Sequence, residues 1–176
     1  LTMRHGNETL VDKNIFIGNN KRNTGGIRVI NGQQTVTNNY GYGLTGYRFR
    51  GALVVMNGVP NSPLNRYFQV EDAIIENNVF VNSAHVQLCA GSDSERSATP
   101  INSTFKSNVF YRDSQNPFIT VYDDISGIDF EDNLTNYSVN SLVEEGFQVK
   151  KMKLVEGRHG LMMPKVGGKI VTPDLA

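Results

Sequence analysis

The chain has 176 residues, of which 39% are hydrophobic and 19% are charged. This length is sufficient for one domain with a buried core, and the composition excludes disordered and membrane-spanning chains, since no apolar run reaches the roughly 18 residues of a bilayer span. Seventeen basic and seventeen acidic residues give a formal charge of zero, so any site for a polyanion must be a local patch.

Short β-type runs alternate with clusters of Asn, Gly, Ser and Asp along the chain, and no helical periodicity stands out. A phrase of Asn followed two residues later by an aromatic, or a close variant, recurs after short apolar runs. Its copies begin at Asn14, Asn38, Asn78, Asn108 and Asn133. The intervals of 24, 40, 30 and 25 residues fit a unit of about 24 residues that is lengthened by loops.

This repeat predicts an all-β fold, a parallel β-helix in which each coil stacks on the next. Asn tolerates the left-handed conformation of a sharp corner, and stacked Asn side chains can form an amide ladder. The aromatic residue is expected to stack inside the coil. A β-sandwich is the alternative, although a sandwich requires neither a fixed coil length nor a repeated corner residue.

The organisation along the chain follows from interruptions of the repeat. Residues 57–65, with two prolines, and residues 91–100 predict long loops, which on a solenoid commonly wall a binding groove. Residues 1–140 are predicted to form the coils, and residues 141–176 a C-terminal cap or run-off segment. Because the first residues read as the middle of a strand and no signal peptide is present, we expect the solenoid to be truncated at its N-terminal side.

Two arginines are the first candidates for a site. Arg4 and Arg28 are 24 residues apart, the interval that also separates Asn14 from Asn38. They are therefore predicted to stack in register on adjacent strands, about 4.8 Å apart. Like charges at this distance repel, and an anion that contacts both would explain the pair.

Two glycines strengthen this hypothesis. Gly25 and Gly26 are predicted to lie one coil over Leu1 and Thr2. Positions without side chains beside an arginine leave room for a ligand to approach the backbone. A plain β-bulge is the alternative explanation.

Other chemistries find little support in the sequence. No His, Cys, Asp and Glu cluster has transition-metal spacing, so no metal ligands are predicted, and the one cysteine, Cys89, excludes an internal disulfide. Nucleophile elbows, phosphate loops and dinucleotide fingerprints are absent, and basic residues do not alternate with aromatics as in nucleic-acid readers. His5, next to Arg4, could bind a hydroxyl or a carboxylate.

The strings LTMRHGN at residues 1–7 and TGGIRVI at residues 24–30 closely resemble the polysaccharide lyases of the chondroitinase B and alginate lyase type, family 6. Residues 14–19, 50–53 and 61–65 resemble this family too. The resemblance implies a right-handed parallel β-helix that cleaves uronic-acid polymers by β-elimination. It also implies a secreted or periplasmic bacterial enzyme.

The resemblance assigns roles to individual residues. Arg4 matches the arginine assigned as general acid to the leaving O4, His5 a substrate-contacting histidine, and Arg28 an arginine that holds substrate. Gly26 and Arg50 are the remaining predicted substrate contacts. An ordinary arginine pKa of about 12.5 makes a poor proton donor, so Arg4 is expected to be either the acid or an electrophilic stabiliser.

The resemblance also implies that further active-site residues lie outside residues 1–176. The family's base lysine lies about one coil before the Arg-His-Gly motif, and its Ca²⁺ ligands lie upstream or alongside that lysine, so we expect the chain alone to be inactive. The expected substrate is an acidic polysaccharide, with alginate favoured because the loops hold few basic residues, chiefly Arg96. Dermatan sulfate, and a non-catalytic carbohydrate-binding β-helix module, are the alternatives; neither a nucleic acid nor a membrane is expected as a partner.

Overall fold

The computed structural model describes residues 1–114 and 118–175. Residues 115–117 lie outside this part, as does Ala176, the last residue of the predicted C-terminal segment. The strands of the successive turns are β1 (Thr2–Met3), β2 (Leu10–Asp12), β3 (Ile15–Ile17), β4 (Ile27–Val29), β5 (Thr35–Thr37), β6 (Tyr40–Tyr42), β7 (Leu53–Met56), β8 (Ile74–Glu76), β9 (Val79–Val81), β10 (Val86–Ala90), β11 (Ser103–Lys106), β12 (Val109–Tyr111), β13 (Ile119–Val121), β14 (Ile128–Glu131), β15 (Asn133–Thr135) and β16 (Phe147–Val149).

These strands form three parallel sheets, and each turn of the chain contributes one strand to each sheet. Sheet A has the order β1-β4-β7-β10-β13, sheet B β2-β5-β8-β11-β14, and sheet C β3-β6-β9-β12-β15-β16. The predicted parallel β-helix is therefore confirmed. Strands of two to five residues suit this architecture, because each must end where the chain turns a corner.

A ladder of five asparagines runs along one corner, as predicted. Each side-chain Nδ2 donates to the Oδ1 of the next asparagine at 2.9–3.1 Å. The members are Asn14, Asn39, Asn78, Asn108 and Asn133. The second member is Asn39, so the prediction of Asn38 was wrong by one residue.

The left-handed conformation at this corner belongs to the residue before each ladder asparagine. These residues have φ between 52° and 58°, and they are Lys13, Asn38, Asn77, Ser107 and Asp132. Asn38 takes the corner, and its side chain donates to Asp12 Oδ1 at 3.0 Å. The ladder asparagine that follows can then point inward to its neighbours.

The repeat predicted that the aromatic residue of each copy stacks inside the coil, which is confirmed for the third and fourth copies. It was wrong for Tyr40 of the second copy, which packs against the C-terminal segment. Phe80 and Phe110 lie with their ring centroids 5.6 Å apart and their planes within 7° of parallel. Gly41, two residues after Asn39, has no side chain because an added Cβ would lie 2.6 Å from the Phe80 ring. The rings thus fill the core across neighbouring turns.

Two long loops leave sheet A on the same side, as predicted. Residues 57–73, the first loop, follow β7, and residues 91–102, the second loop, follow the adjacent strand β10. The loops pair with each other at Gly58 and Ala98, whose main chains exchange hydrogen bonds of 2.8 and 2.9 Å. A short 3₁₀ helix, Arg48–Arg50, precedes β7.

The C-terminal segment begins with a 3₁₀ helix, Ser141–Gly146, and continues into β16. Beyond β16 lie β17 (Met152–Glu156), a 3₁₀ helix at Arg158–Gly160, β18 (Met162–Val166) and β19 (Lys169–Ile170). These last three strands form an antiparallel sheet that packs on residues of sheet C. The Tyr40 hydroxyl donates to the Met162 carbonyl at 2.7 Å, and Lys13 pairs with Asp174 at 3.0 Å. The domain boundary near residue 140 stays a prediction.

None of the helices in residues 1–114 and 118–175 is long and apolar enough to cross a membrane.

Candidate functional site

The strand register separates the two arginines that were expected to stack. Thr2, not Arg4, lies opposite Arg28, and Met3 lies opposite Val29. The offset between β1 and β4 is 26 residues, two more than the assumed interval, so the predicted in-register pair is wrong. Arg28 Nη2 contacts Thr2 Oγ1 at 3.3 Å. Because successive strand residues face opposite ways, Arg4 lies on the same face as Thr2, diagonally beyond Arg28.

Arg4 instead contacts the first loop. Its Nη2 donates to the Asn65 carbonyl at 2.8 Å, and its guanidinium carbon lies 4.9 Å from the centroid of the Tyr67 ring. A carbonyl acceptor and an aromatic face both favour the cationic guanidinium. Neither Arg4 nor Arg28 forms an ion pair with a carboxylate in the described part of the chain.

A small cavity of about 100 Å³ lies beside Arg4 and is lined by Val59, Arg66, Tyr67 and Arg96. The two further arginines have acidic partners, since Arg66 pairs with Glu95 and Arg96 with Asp93. Main-chain N–H groups of Arg96 and Glu95, together with the Arg96 guanidinium, hold the pKa of Asp93 below its ordinary value. Of the three arginines at this cavity, Arg4 is the one whose charge is not paired with an acid.

A larger cavity of about 550 Å³ borders Arg28. Gly25, Gly26 and Arg50 border it together with Arg28, so three of the predicted substrate contacts share one cavity. The Nε of Arg28 is buried and has no hydrogen-bond partner. Arg48 also borders this cavity, which gives its wall three guanidinium groups.

Gly26 lies beside Leu1 on the neighbouring turn, since the Leu1 amino group donates to the Gly26 carbonyl at 2.8 Å. Thr2, however, lies opposite Arg28, so the predicted register of the two glycines was wrong by two residues. They lie against the following turn, where the Gly26 amide donates to the Gly51 carbonyl at 3.0 Å. A Cβ on Gly26 would lie 2.1 Å from the Ala52 carbonyl oxygen, and one on Gly25 2.8 Å from that of Arg50. The close approach of two main chains therefore requires glycine at these positions.

His5 is exposed in the bend after β1 and lines neither of these two cavities. The structure thus brings Arg28, Gly26 and Arg50 to one cavity and places Arg4 at another, with His5 next to it in sequence. The catalytic role of Arg4 and the binding roles of the other four residues stay predictions.

Metal and thiol chemistry have no centre among residues 1–114 and 118–175. No group of three or more His, Cys, Asp or Glu side chains in this part is arranged to hold a metal ion. No such cluster in this part accounts for the Ca²⁺ that the resemblance implies, and ligands upstream of the chain stay a prediction. Cys89 is buried, and burial raises the pKa of its thiol to about 12, which keeps it protonated near neutral pH.

The sequence did not predict that Asn65 and Tyr67 contact Arg4, although residues 61–65 belong to a stretch that resembles the family. The available signal was the first loop itself, which was predicted to wall a groove. Which of its residues turn toward Arg4 depends on the path of the loop, and no periodic pattern encodes that path.

Comparison with known proteins gives a consistent result. The chain matches the family model for chondroitinase B over residues 1–172. None of the curated proteins matches it. Among solved structures, the family 6 alginate lyase AlyGC is 48% identical with a TM-score of 0.93, and the match covers 99% of this chain and 24% of AlyGC.

Two further structures extend the comparison. A mannuronic-acid-specific family 6 lyase from the human gut microbiota is 31% identical, with a TM-score of 0.73, over 87% of this chain and 37% of that protein. An alginate lyase of family 6 solved with a trisaccharide is 24% identical, with a TM-score of 0.76, over 100% of this chain and 44% of that protein, and shows the shared fold.

The chain spans about a quarter of the length of AlyGC. Within that span the family match, the 48% identity and the parallel β-helix all agree. The chain therefore belongs to polysaccharide lyase family 6, the family of chondroitinase B and the alginate lyases.

Proposed function

We propose that this chain is part of a polysaccharide lyase that cleaves uronic-acid polymers, alginate foremost, by calcium-assisted β-elimination. The proposal rests on the surroundings of Arg4 in a chain that belongs to this family. Its guanidinium is exposed, is oriented by a carbonyl and an aromatic ring, and has no acidic partner among the described residues.

The proposed chemistry uses this free positive charge. In β-elimination a base removes the proton at C5 of the uronate, the electrons form the C4–C5 double bond, and the bond from C4 to O4 breaks. Negative charge develops on the leaving O4, which must finally receive a proton. An oriented guanidinium next to O4 stabilises that charge and lowers the barrier. Arg4 is proposed for this role, with water or His5 completing the proton transfer.

Arg28 and Arg50 are proposed to bind uronate carboxylates along the polymer. Both border the cavity of about 550 Å³, and the Arg28 Nε has an unused donor. Guanidinium groups match the planar carboxylate of a uronate. Gly26 borders the same cavity, where the polymer is proposed to contact its main chain.

Calcium is included in the proposal only because the resemblance to the family implies it. We derive no step through it, because residues 1–114 and 118–175 contain no cluster of three or more His, Cys, Asp or Glu side chains placed to hold a metal ion. The base is likewise proposed to be a lysine upstream of Leu1, and residues 1–176 alone are proposed to be inactive. The polymer substrate is too large to cross a membrane, which supports a secreted or periplasmic location.

The loops favour alginate over dermatan sulfate. A sulfated polymer would reward additional free arginines near the site, yet both loop arginines beside Arg4 are paired: Arg66 with Glu95 and Arg96 with Asp93. Alginate carries carboxylates only, and therefore needs fewer basic partners. Dermatan sulfate remains the alternative substrate.

The test measures ultraviolet absorbance of the unsaturated uronate with the full-length parent protein. Alginate, its polymannuronate and polyguluronate blocks, and dermatan sulfate serve as substrates, with and without EDTA. We expect absorbance to rise on alginate and to fall with EDTA. Activity on dermatan sulfate alone would overturn the preference for alginate, and binding without any rise in absorbance would identify a carbohydrate-binding module instead.

A further inference from the structure

The position of Arg4 depends on a three-residue stretch of the first loop. Asn65 accepts a hydrogen bond from its guanidinium, and the Tyr67 ring lies 4.9 Å from the guanidinium carbon. An exposed arginine without such contacts samples many rotamers. Here two residues of one loop reduce that freedom, and a single residue, Arg66, separates them.

Arg66 connects this stretch to the second loop. Its side chain pairs with Glu95 of the second loop. The first loop is closed on itself by a hydrogen bond of 2.8 Å from the Val59 amide to the Tyr67 carbonyl. A displacement of Arg66 therefore moves its two neighbours, and with them the carbonyl and the ring that contact Arg4.

Hydrogen bonds within the second loop hold Glu95, the partner of Arg66, in a defined position. The Asp93 carboxylate accepts bonds from the main-chain amides of Glu95 and Arg96 at 3.0 and 2.7 Å. The Arg96 Nε donates to the Gly91 carbonyl at 2.6 Å. Glu95 thus projects from a turn whose own hydrogen bonds determine its shape.

We propose that the Arg66–Glu95 ion pair is a positioning pair for Arg4: it holds Asn65 and Tyr67 in the place from which they orient the guanidinium toward the leaving oxygen. This inference rests on the proposed lyase function and deepens it, because it makes the second loop a determinant of the rate. Neither Arg66 nor Glu95 needs to touch the substrate for this role.

The Arg66–Glu95 ion pair is expected to contribute little to the stability of the fold. Both side chains are well exposed, at 40% and 50%, and exposed ion pairs contribute little to stability. Orientation of a charged group in an active site, by contrast, affects the rate steeply. A role in positioning therefore predicts a loss of kcat that is not accompanied by a loss of thermal stability.

The experiment uses the full-length protein and the variants Arg66→Gln, Glu95→Gln and the charge-exchanged double variant Arg66→Glu/Glu95→Arg. We expect each single variant to lower kcat on alginate about 10-fold, with KM changed less than about 2-fold and the thermal midpoint unchanged. The double variant should recover most of the lost kcat. Lys106→Gln and Glu131→Gln are matched controls, since that exposed pair lies on sheet B, and they should leave kcat unchanged.

A second measurement does not depend on activity. Phenylglyoxal modifies accessible arginines, and mass spectrometry gives the rate at each site. Loss of the ion pair should increase the rate at Arg4 about 3-fold or more, while Arg158 in the C-terminal segment keeps its rate. Unchanged modification of Arg4 in both single variants, or an unchanged kcat, would overturn the positioning role. Absence of elimination by the unaltered protein would overturn the proposed function, and the modification rates would still decide the positioning role.

Discussion

Asn78 and Asn108 are joined by two hydrogen bonds to the same atom. The Oδ1 of Asn108 accepts from the side-chain Nδ2 of Asn78 at 2.9 Å and from its main-chain amide at 3.1 Å. Asn108 in turn donates to the Ile75 carbonyl at 2.9 Å and to Asn133 Oδ1 at 3.1 Å. Because the two asparagines are fully buried, every one of these groups has exchanged water for a protein partner.

Replacement of Asn108 by Ala should therefore destabilise the fold strongly. It leaves the main-chain amide of Asn78 buried without a partner and removes one of the two acceptors of the Asn78 side chain, which keeps its bond to the Val36 carbonyl. We expect this loss to lower the free energy of unfolding by about 2–3 kcal/mol. Urea unfolding followed by circular dichroism measures the change. Asn7→Ala is the control, since that side chain is exposed and bonds to Gln33, and it should cost less than about 0.5 kcal/mol. Equal effects of the two substitutions would contradict a structural role for the ladder.

Gly26→Ala should also destabilise the protein, for a steric reason. The added Cβ would meet the Ala52 carbonyl oxygen at 2.1 Å, so the β4 and β7 main chains must move apart. We expect a loss of about 2–3 kcal/mol in urea unfolding. Gly32→Ala provides the comparison, because its Cβ would meet only the flexible Glu71 side chain, at 3.0 Å. An unchanged free energy of unfolding in Gly26→Ala would show that the two main chains can move apart without loss of stability.

Arg4→Ala should remove most of the lyase activity of the full-length protein. Loss of one preorganised charge at the leaving oxygen costs about 10²–10³ in kcat, with a smaller change in KM. Arg4→Lys keeps the charge but loses the planar donor that contacts Asn65, and should recover only part of the rate. Initial rates on alginate give both constants, and Arg158→Ala, in the C-terminal segment, should match the unaltered protein. Retention of kcat in Arg4→Ala would remove Arg4 from the mechanism.

His85 should make stability depend on pH below about 6.5, the ordinary pKa of histidine. Burial, and next the charge of Arg112, lower the pKa of His85 below its ordinary value of 6.5. At a pH between the folded-state and unfolded-state pKa values, His85 is protonated in the unfolded chain and neutral in the folded chain. The stability from neutral His85 is therefore fully present above about pH 6.5 and is lost as the pH falls toward the lower folded-state pKa.

Thermal unfolding at several pH values tests this dependence. The midpoint should fall between pH 7 and pH 5, and the fall should be smaller in His85→Gln. An undiminished fall in His85→Gln would assign the dependence to other groups.

The repeat in the sequence determined the architecture. An asparagine at each corner, with an aromatic two residues later, was enough to predict stacked coils, because a solenoid places equivalent residues of successive turns next to each other. Asn78 with Phe80, and Asn108 with Phe110, lie in the ladder and the stack that the repeat predicted. The Arg-His-Gly string and its resemblance to family 6 also came from the sequence alone, and the family is confirmed.

Only the tertiary structure decided which residues meet at the site. Register depends on the number of residues in each turn, and two additional residues between β1 and β4 placed Thr2, rather than Arg4, opposite Arg28. The partners of Arg4 come from a loop about sixty residues later, whose path is set by contacts with the second loop. Periodic patterns specify neighbours within a regular stack, but loop contacts follow from packing among residues distant in sequence. The contacts of Asn65 and Tyr67 with Arg4 could therefore be identified only from the tertiary structure.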